Sequence, residues 1–281
     1  MSKIRITTDS ASDLPRELLE KFNITINPTY LCFDEEVIPD TEIDRRRIFD
    51  YYNEKKVLVK SSASNVEDYK RMFESITSQG FEVVHIGMSS GISCSVQNAK
   101  MAAEDLDGVY VVDSLQLSSG LGAMAIEAAV QAENMTAPEL VNHLIKYRDK
   151  INTSFVLDSL DYLYKGGRCS GLALMGSNLL HLKPCIEMQG GTLSPAKKYR
   201  GNLEKCLDHY VSDRFEHLDS ICPDFIFITH TLIGKDRAIA EEIRQRVEDL
   251  HYFKEVLLTD AGSIISCHCG PGTLGMLYTL K

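Results

Sequence analysis

The chain has 281 residues, which is too long for one small core and favours either one large α/β domain or two domains of ordinary size; we predict two. Asp and Glu outnumber Lys and Arg by 40 to 30, and the net charge of −10 argues against nucleic acid or an anionic membrane as a stable partner. The most apolar stretches are short and interrupted by charges, so only transient membrane contact is expected.

The start of the sequence and the cysteines bear on the compartment. Residues 1–5 lead directly into a strand pattern, without the basic, apolar and small-residue regions of a secretory signal. The eight cysteines are scattered rather than arranged as a disulfide framework. We therefore expect a cytoplasmic protein with reduced thiols.

The first half of the chain alternates predicted strands and helices. Strands are predicted at 4–8, 57–59, 81–87 and 109–112, and helices at 15–22, 66–79, 95–103, 118–131 and 136–149. Residues 24–38 fit a hairpin on a sheet edge. Alternation of this kind implies right-handed crossovers, so we predict an α/β, doubly wound and mainly parallel sheet domain over residues 1–155.

The pattern changes after the strand predicted at 153–156. A glycine pair, Gly190 and Gly191, predicts the turn of a hairpin. Further strands are predicted at 225–229 and 255–259, and helices at 158–165, 172–182, 203–215 and 235–250. Residues 156–281 are thus predicted to form an α+β domain.

Hydroxyl side chains follow the predicted strands of the first half. They are Ser10, Ser12, Ser61, Ser62, Ser64, Ser89, Ser90, Ser93, Ser95 and Ser114. Ligands of open parallel sheets bind at the carboxyl ends of the strands, where helix N-termini favour negative charge. For each serine by itself, the interpretation as a helix cap or turn residue is favoured. The repetition of the pattern over successive strand-to-helix turns nevertheless indicates an anion site.

A set of motifs in fixed order supplies a family resemblance. The motifs are Thr8-Asp9-Ser10-Ala11-Ser12-Asp13-Leu14-Pro15, Lys60-Ser61-Ser62-Ala63-Ser64, Ser89-Ser90-Gly91-Ile92-Ser93, Leu163-Tyr164-Lys165-Gly166-Gly167-Arg168, Lys183-Pro184, Lys198-Tyr199-Arg200 and His268-Cys269-Gly270-Pro271-Gly272. Over nearly its entire length the sequence resembles the DegV family, whose members act as fatty-acid-binding subunits of a bacterial fatty acid kinase system.

The resemblance implies a lipid carrier rather than an enzyme. Such a protein holds a long-chain fatty acid, presents its carboxylate to a separate ATP-dependent kinase subunit, and carries the acyl phosphate product. No cofactor and no metal are implied.

The resemblance also assigns site residues. Ser61, Ser93 and His268 match residues that bind or lie near the fatty-acid carboxylate, and Arg168, Arg200 and Lys198 match residues near the acyl phosphate or the kinase. As isolated residues, the two arginines would fit solvated surface charges and His268 a core histidine. Threonine is common in the family at position 61; serine keeps the hydroxyl but loses the methyl that restricts its rotamer.

Elementary energetics agree with a lipid ligand. Burial of ten or more methylenes at about 0.8 kcal/mol each supplies roughly 8 kcal/mol before ordering costs. Each hydroxyl bond to the carboxylate adds only about 1 to 3 kcal/mol, so the head group sets orientation. Apolar residues in 172–180 fit either walls of a tail cavity or ordinary core.

The strongest alternative is a serine esterase. Residues 87–91 fit the G-x-S-x-G pattern with Ser89 as the nucleophile, His268 downstream, and Asp158 or Asp208 between them. Against it, the following helix is predicted to start several residues late, and no HGGG-type oxyanion loop is found. A kinase activity of the chain itself is disfavoured because no Walker or protein-kinase motif occurs.

A zinc site is a further alternative. Cys267, His268 and Cys269 are possible ligands, but structural zinc sites usually contain cysteine pairs two to four residues apart, and no CxxC occurs in the sequence.

Overall fold

The computed structural model describes residues 3–168 and 182–281, and its contacts divide the chain into two compact units. The N-terminal unit comprises Met1–Ile43 and Lys60–Asp149, and the C-terminal unit comprises Asp44–Val59 and Lys150–Lys281. The boundary predicted near residue 155 treats each domain as one continuous segment. The contacts instead group residues 44–59 with the second half of the chain.

Two sheets form the N-terminal unit. Its strands are β1 (Ile4–Asp9), β2 (Ile24–Asn27), β3 (Tyr30–Phe33), β4 (Glu36–Pro39), β5 (Lys60–Ser62), β6 (Glu82–Gly87) and β7 (Val109–Asp113). The four-stranded sheet has the order β2-β1-β6-β7 and is parallel throughout, as the alternating pattern predicts. The three-stranded sheet has the order β4-β3-β5 and is antiparallel.

The predicted hairpin at 24–38 is only partly right. A tight turn does join β3 to β4, but these strands belong to the antiparallel sheet. The edge of the parallel sheet is β2, which pairs with β1 in parallel and therefore cannot be an arm of the same hairpin.

The helices of the N-terminal unit agree with the predicted pattern. They are α1 (Arg16–Phe22), α3 (Val66–Thr77), α4 (Ser95–Ala103), α5 (Ser118–Gln131) and α6 (Ala137–Tyr147). In α3 one face, formed by Tyr69, Phe73 and Ile76, is buried, because residues three and four apart share one side of a helix. Gly122 lets α5 approach the end of β1, since a Cβ there would lie 2.7 Å from the Ser12 carbonyl oxygen.

One mixed sheet forms the C-terminal unit. Its strands are β8 (Ile151–Val156), β9 (Leu182–Gln189), β10 (Thr192–Arg200), β11 (Ile221–His230), β12 (Glu255–Asp260) and β13 (Leu274–Leu280). Their order is β10-β9-β8-β13-β11-β12, and only β11 and β12 pair in parallel. The predicted α+β class and the hairpin turn at Gly190 and Gly191 are confirmed. The central strand β13 was not predicted.

The C-terminal unit also contains α-helices. They are α2 (Arg45–Lys55), α7 (Asp161–Lys165), α8 (Leu203–Arg214), α9 (Arg237–Glu248) and α10 (Ser263–Cys269). Neither α2 nor α10 was predicted, and α7 begins later than its pattern suggested. The helix predicted at 172–182 lies outside the described residues except for Leu182, which begins β9. Among the described helices, none combines the length and apolar character needed to cross a bilayer.

Candidate functional site

Ser93 lies in the loop between β6 and α4, at the carboxyl end of the parallel sheet. Its Oγ lies 2.9 Å from the Ser95 Oγ and accepts a hydrogen bond from the Ser95 N–H at 3.2 Å. The Ser93 N–H donates to the Ser89 carbonyl oxygen at 3.1 Å. Ser95 is completely buried, whereas Ser93 is half-buried, so Ser93 presents the more accessible hydroxyl of the pair.

Ser61 has a different setting from the one predicted. It lies within β5 and pairs with Leu31 of β3, so it does not follow a strand of the parallel sheet. The apolar run at 57–59 predicted a buried strand, but Val57 is 54% exposed and the strand begins only at Lys60. The Ser61 side chain is half-buried.

The segments that carry these two serines are nevertheless neighbours. The side-chain amide of Asn98, on the first turn of α4, donates to the Ser64 carbonyl oxygen at 2.7 Å. Helix α3, which follows Ser64, packs beside α4. The residues that precede α3 and the loop that precedes α4 therefore lie side by side within the N-terminal unit.

A buried carboxyl group, Asp9 at the end of β1, lies beneath the Ser93 loop. It accepts hydrogen bonds from the Tyr69 hydroxyl at 2.5 Å and from the Met88 N–H at 2.7 Å. Burial raises the pKa of Asp9 to about 6, although both hydrogen bonds favour the charged form and lower it. The carboxylate thus ties α3 and the start of the Ser93 loop to the sheet.

His85 on β6 completes this buried group. Its Nε2 lies 3.6 Å from the nearer Asp9 oxygen, and its Nδ1 lies 3.0 Å from the Thr7 hydroxyl. Burial lowers the pKa of His85 to about 3, so the imidazole is neutral at pH 7. The Asp9 charge is therefore balanced by hydrogen bonds rather than by an ion pair.

The buried group extends from Tyr69 toward Ser93. Burial and the Asp9 carboxylate raise the pKa of Tyr69 well above its ordinary value, while hydrogen-bonding neighbours Ser95 and Asn27 act in the opposite direction. Ser95 in turn contacts Ser93. Side chains from β1, α3, β2 and α4 thus form a continuous polar path to the Ser93 hydroxyl.

Sequence reasoning missed Asp9, Tyr69 and His85 as a group. The sequence pattern places Tyr69 within the helix predicted at 66–79 and Asp9 directly after the strand predicted at 4–8, and neither position indicates a shared group. A histidine within the apolar strand 81–87 and an aspartate ending another strand were the available signals, because charged groups are rarely fully buried without partners.

Most other hydroxyls of the predicted anion site bond within the fold. The Ser10 Oγ lies 3.1 Å from the Thr29 Oγ1, and the Ser90 hydroxyl donates to the Asp113 carboxylate at 2.5 Å. Ser114 exchanges hydrogen bonds with the backbone of Gln116. These contacts fit the turn-residue interpretation.

His268 lies on α10 in the C-terminal unit and is half-buried. Its imidazole packs against Gly166, because a Cβ at Gly166 would lie 2.8 Å from the Nδ1 atom. Burial lowers the pKa of His268 to about 4, and the positive charge of Arg168 lowers it further. His268 is therefore suited to neutral hydrogen bonding at pH 7, not to the cationic role that an imidazolium would play.

The three predicted basic residues are exposed in the C-terminal unit. Arg168 follows α7 and donates to the Gly166 carbonyl oxygen at 2.6 Å. Lys198 and Arg200 share one face of β10, while Tyr199 between them points to the opposite, buried face. All three side chains are thus accessible to an external anion.

The esterase alternative finds no support in the structure. Ser89 is completely buried, and its Oγ accepts a hydrogen bond from the Gly91 N–H at 3.2 Å. A nucleophile elbow exposes the serine on a sharp turn directly before a helix, but α4 begins only at Ser95. The G-x-S-x-G pattern therefore belongs to a structural loop.

The cysteines around His268 are part of helix packing. Cys267 and Cys269 are buried in α10, and the Cys267 Sγ contacts the Ile264 carbonyl oxygen at 3.1 Å. Within residues 3–168 and 182–281, no group of three or more His, Cys, Asp or Glu side chains is arranged to hold a metal ion.

Comparison with known proteins places this fold in a family. The family model described as "Uncharacterised protein, DegV family" matches residues 3–281. A DegV domain-containing protein of Clostridium acetobutylicum is 30% identical over 289 residues, covering 100% of both chains.

Two solved structures are similar over the same length. One, described as fatty acid binding of a DegV family protein from Thermus thermophilus, has a TM-score of 0.90 and 27% identity and covers 100% of each chain. The other, a stearic acid-binding protein from Eubacterium ventriosum, has a TM-score of 0.85 and 25% identity and covers 100% of this chain and 99% of that one.

Fold and site together define an α/β protein of two units, one with a parallel sheet bordered by hydroxyl-bearing loops and one with a mixed sheet. The chain belongs to the DegV family.

Proposed function

We propose that the protein binds one long-chain fatty acid, with Ser61 and Ser93 bonding its carboxylate. The observation that carries the proposal is the bond from Asn98 to the Ser64 carbonyl oxygen, 2.7 Å long, which joins α4, the helix after the Ser93 loop, to the chain three residues after Ser61. The descriptions of the Thermus thermophilus and Eubacterium ventriosum relatives as fatty-acid-binding proteins support the same ligand class.

The two ends of this ligand have different tasks. Burial of the tail, at about 0.8 kcal/mol per methylene, supplies most of the affinity. Hydroxyl donors contribute about 1 to 3 kcal/mol each and fix the carboxylate at a defined point. Ser93 suits this task because its hydroxyl is half-buried and held by the Ser95 backbone.

We further propose that the bound carboxylate is presented to a separate ATP-dependent kinase subunit in the cytoplasm, and that the chain then carries the acyl phosphate. The family resemblance supports this role. Arg168, Arg200 and Lys198 are exposed cations suited to a phosphate or to the kinase, and His268 is assigned to hydrogen-bond the carboxylate as a neutral imidazole.

Native mass spectrometry of protein purified from bacteria tests the ligand directly. We expect a complex whose added mass equals that of one long-chain fatty acid, removable by delipidation and restored by stearate. A delipidated protein that does not take up stearate would contradict the proposal.

The kinase role needs a separate assay. Purified chain loaded with stearate is incubated with a bacterial fatty acid kinase and labelled ATP, and acyl phosphate is measured. We expect Ser93→Ala to lower turnover at least tenfold, because roughly 1.4 kcal/mol of lost head-group positioning gives that factor. Ser154→Ala, which removes a buried hydroxyl of the other unit, is the matched control. Equal turnover in the two variants would contradict the assignment of Ser93 to the carboxylate site.

A further inference from the structure

Ser93 has a single hydroxyl proton, and the direction in which it points decides whether Ser93 can serve a carboxylate. The Ser93 and Ser95 oxygens are 2.9 Å apart, so one of the two hydroxyls donates to the other. If Ser93 donates to Ser95, no proton is left for a ligand. If Ser95 donates to Ser93, the Ser93 proton is available.

The neighbours of Ser95 limit its alternatives. Ser95 is completely buried, and besides Ser93 its hydrogen-bonding neighbour among the described residues is the Tyr69 hydroxyl. Tyr69 donates its own proton to Asp9 at 2.5 Å, so the Tyr69 oxygen can only accept. Within the part of the chain that the structure describes, the Ser95 proton therefore has the Tyr69 oxygen and the Ser93 oxygen as acceptors.

We propose that Ser95 is a positioning residue for the fatty-acid carboxylate: by donating to the Ser93 Oγ, it directs the only Ser93 proton at the ligand. This inference rests on the proposed function. Ser95 itself does not touch the ligand; it acts through Ser93, whose oxygen then accepts from both the hydroxyl and the N–H of Ser95.

Asn27 can donate a hydrogen bond to the Tyr69 oxygen when the Ser95 hydroxyl donates to Ser93. The side chain of Asn27 is buried and neighbours the Tyr69 hydroxyl, and its Nδ2 has no hydrogen-bond partner among the described residues. Asn27 can therefore donate to the Tyr69 oxygen in place of Ser95. Reorientation of the serine pair then leaves the Tyr69 oxygen with a donor.

A double-mutant cycle tests this inference. Dissociation constants for stearate are measured by calorimetry on delipidated wild-type protein, Ser93→Ala, Ser95→Ala and the double variant. In the wild-type background, Ser95→Ala should weaken stearate binding roughly five- to tenfold, which corresponds to the loss of one hydrogen bond. In the Ser93→Ala background, the same substitution should have no effect. Ser95→Thr retains the hydroxyl and should keep the affinity within about twofold of wild type.

Ser154→Ala is the matched control, because Ser154 is also a completely buried serine that contacts a buried tyrosine hydroxyl, that of Tyr210, at 2.8 Å. It should leave stearate affinity unchanged. The positioning role would be overturned if Ser95→Ala lowered stearate affinity equally in the wild-type and Ser93→Ala backgrounds, or did not lower it at all. Either result would leave the fatty-acid proposal intact. Wild-type protein that does not bind stearate would refute both.

Discussion

Two buried tyrosines, one in each unit, take part in hydrogen-bond networks of opposite kinds. Tyr210 donates to the Ser154 carbonyl oxygen at 2.8 Å and accepts from the Met276 N–H at 2.9 Å, so both of these hydrogen-bond partners are neutral. Tyr69 donates to a buried carboxylate, Asp9. Both tyrosines are completely buried, so the difference lies in their partners rather than in their accessibility.

The comparison distinguishes a buried hydrogen-bond network of neutral groups from one that includes a charged group. The Tyr210 network lies within the apolar core of the C-terminal unit and ties α8 to β8 and β13. The Tyr69 network instead includes a carboxylate whose burial is unfavourable, and it leads through Ser95 to the half-buried Ser93. Neutral networks of the first kind are ordinary in protein cores, whereas perturbed buried charges of the second kind are found more often at functional sites.

Removal of the Tyr210 hydroxyl should have the largest effect on stability. Tyr210→Phe leaves the Met276 N–H and the Ser154 hydroxyl without a buried partner, and we expect a loss of about 2 to 4 kcal/mol in the free energy of unfolding. Urea unfolding measures it, and stearate affinity should not change. A stable variant with weakened stearate binding would break the comparison between the two networks.

Removal of the Tyr69 hydroxyl should lower the free energy of unfolding somewhat less than removal of the Tyr210 hydroxyl. We expect a loss of about 1.5 to 3 kcal/mol, because one hydrogen bond to a charged group is lost. The pKa of Asp9 is raised from 3.8 to about 6, so the folded state binds more protons than the unfolded state between these values, and stability falls as pH rises through them. Tyr69→Phe removes a bond that lowers this pKa.

In Tyr69→Phe, the pH range over which stability decreases should therefore extend above pH 6. The variant should lose more stability at pH 8 than at pH 5. Urea unfolding at the two pH values measures the difference. Equal losses at both would mean that Tyr69 does not stabilise the charged form of Asp9.

The smallest expected effect concerns His85. Burial lowers its pKa from 6.5 to about 3, so the unfolded state binds more protons between these values and stability rises with pH across them. His85→Gln should reduce this slope by up to about 1.4 kcal/mol per pH unit. Urea unfolding between pH 4.5 and 6.5 measures it, with exposed His209→Gln as the control. Identical slopes in the two variants would mean that His85 is not held neutral by burial.

Local pattern was a reliable guide to the regular elements. Helix α6 begins with a capping box of Thr136 and Glu139, and α3 has an apolar face of Tyr69, Phe73 and Ile76. Both signals can be recognised in the sequence because they depend on neighbours within one or two turns. Strand β5 was misplaced at 57–59, since a short edge strand is defined by its partner β3 rather than by its own residues.

Residues of the candidate site divide in the same way. The position of Ser93 in a strand-to-helix loop could be predicted from sequence because a clear strand precedes it and a clear helix follows it. Asp9, Tyr69 and His85 could not be grouped, since their proximity depends on the parallel register of β1 with β6 and on the packing of α3 against the sheet. Spacing along the chain contains no information about either contact.

The sequence alone determined the α/β class, the family and the hydroxyl-rich loops, because periodicity, caps and ordered motifs are local properties of the chain. Only the tertiary structure decided which hydroxyls are already bonded within the fold, that Ser61 belongs to an antiparallel strand, and that a buried carboxylate lies behind Ser93. Burial and hydrogen-bond pairing decide the chemistry of these groups, and both arise only when distant segments pack together.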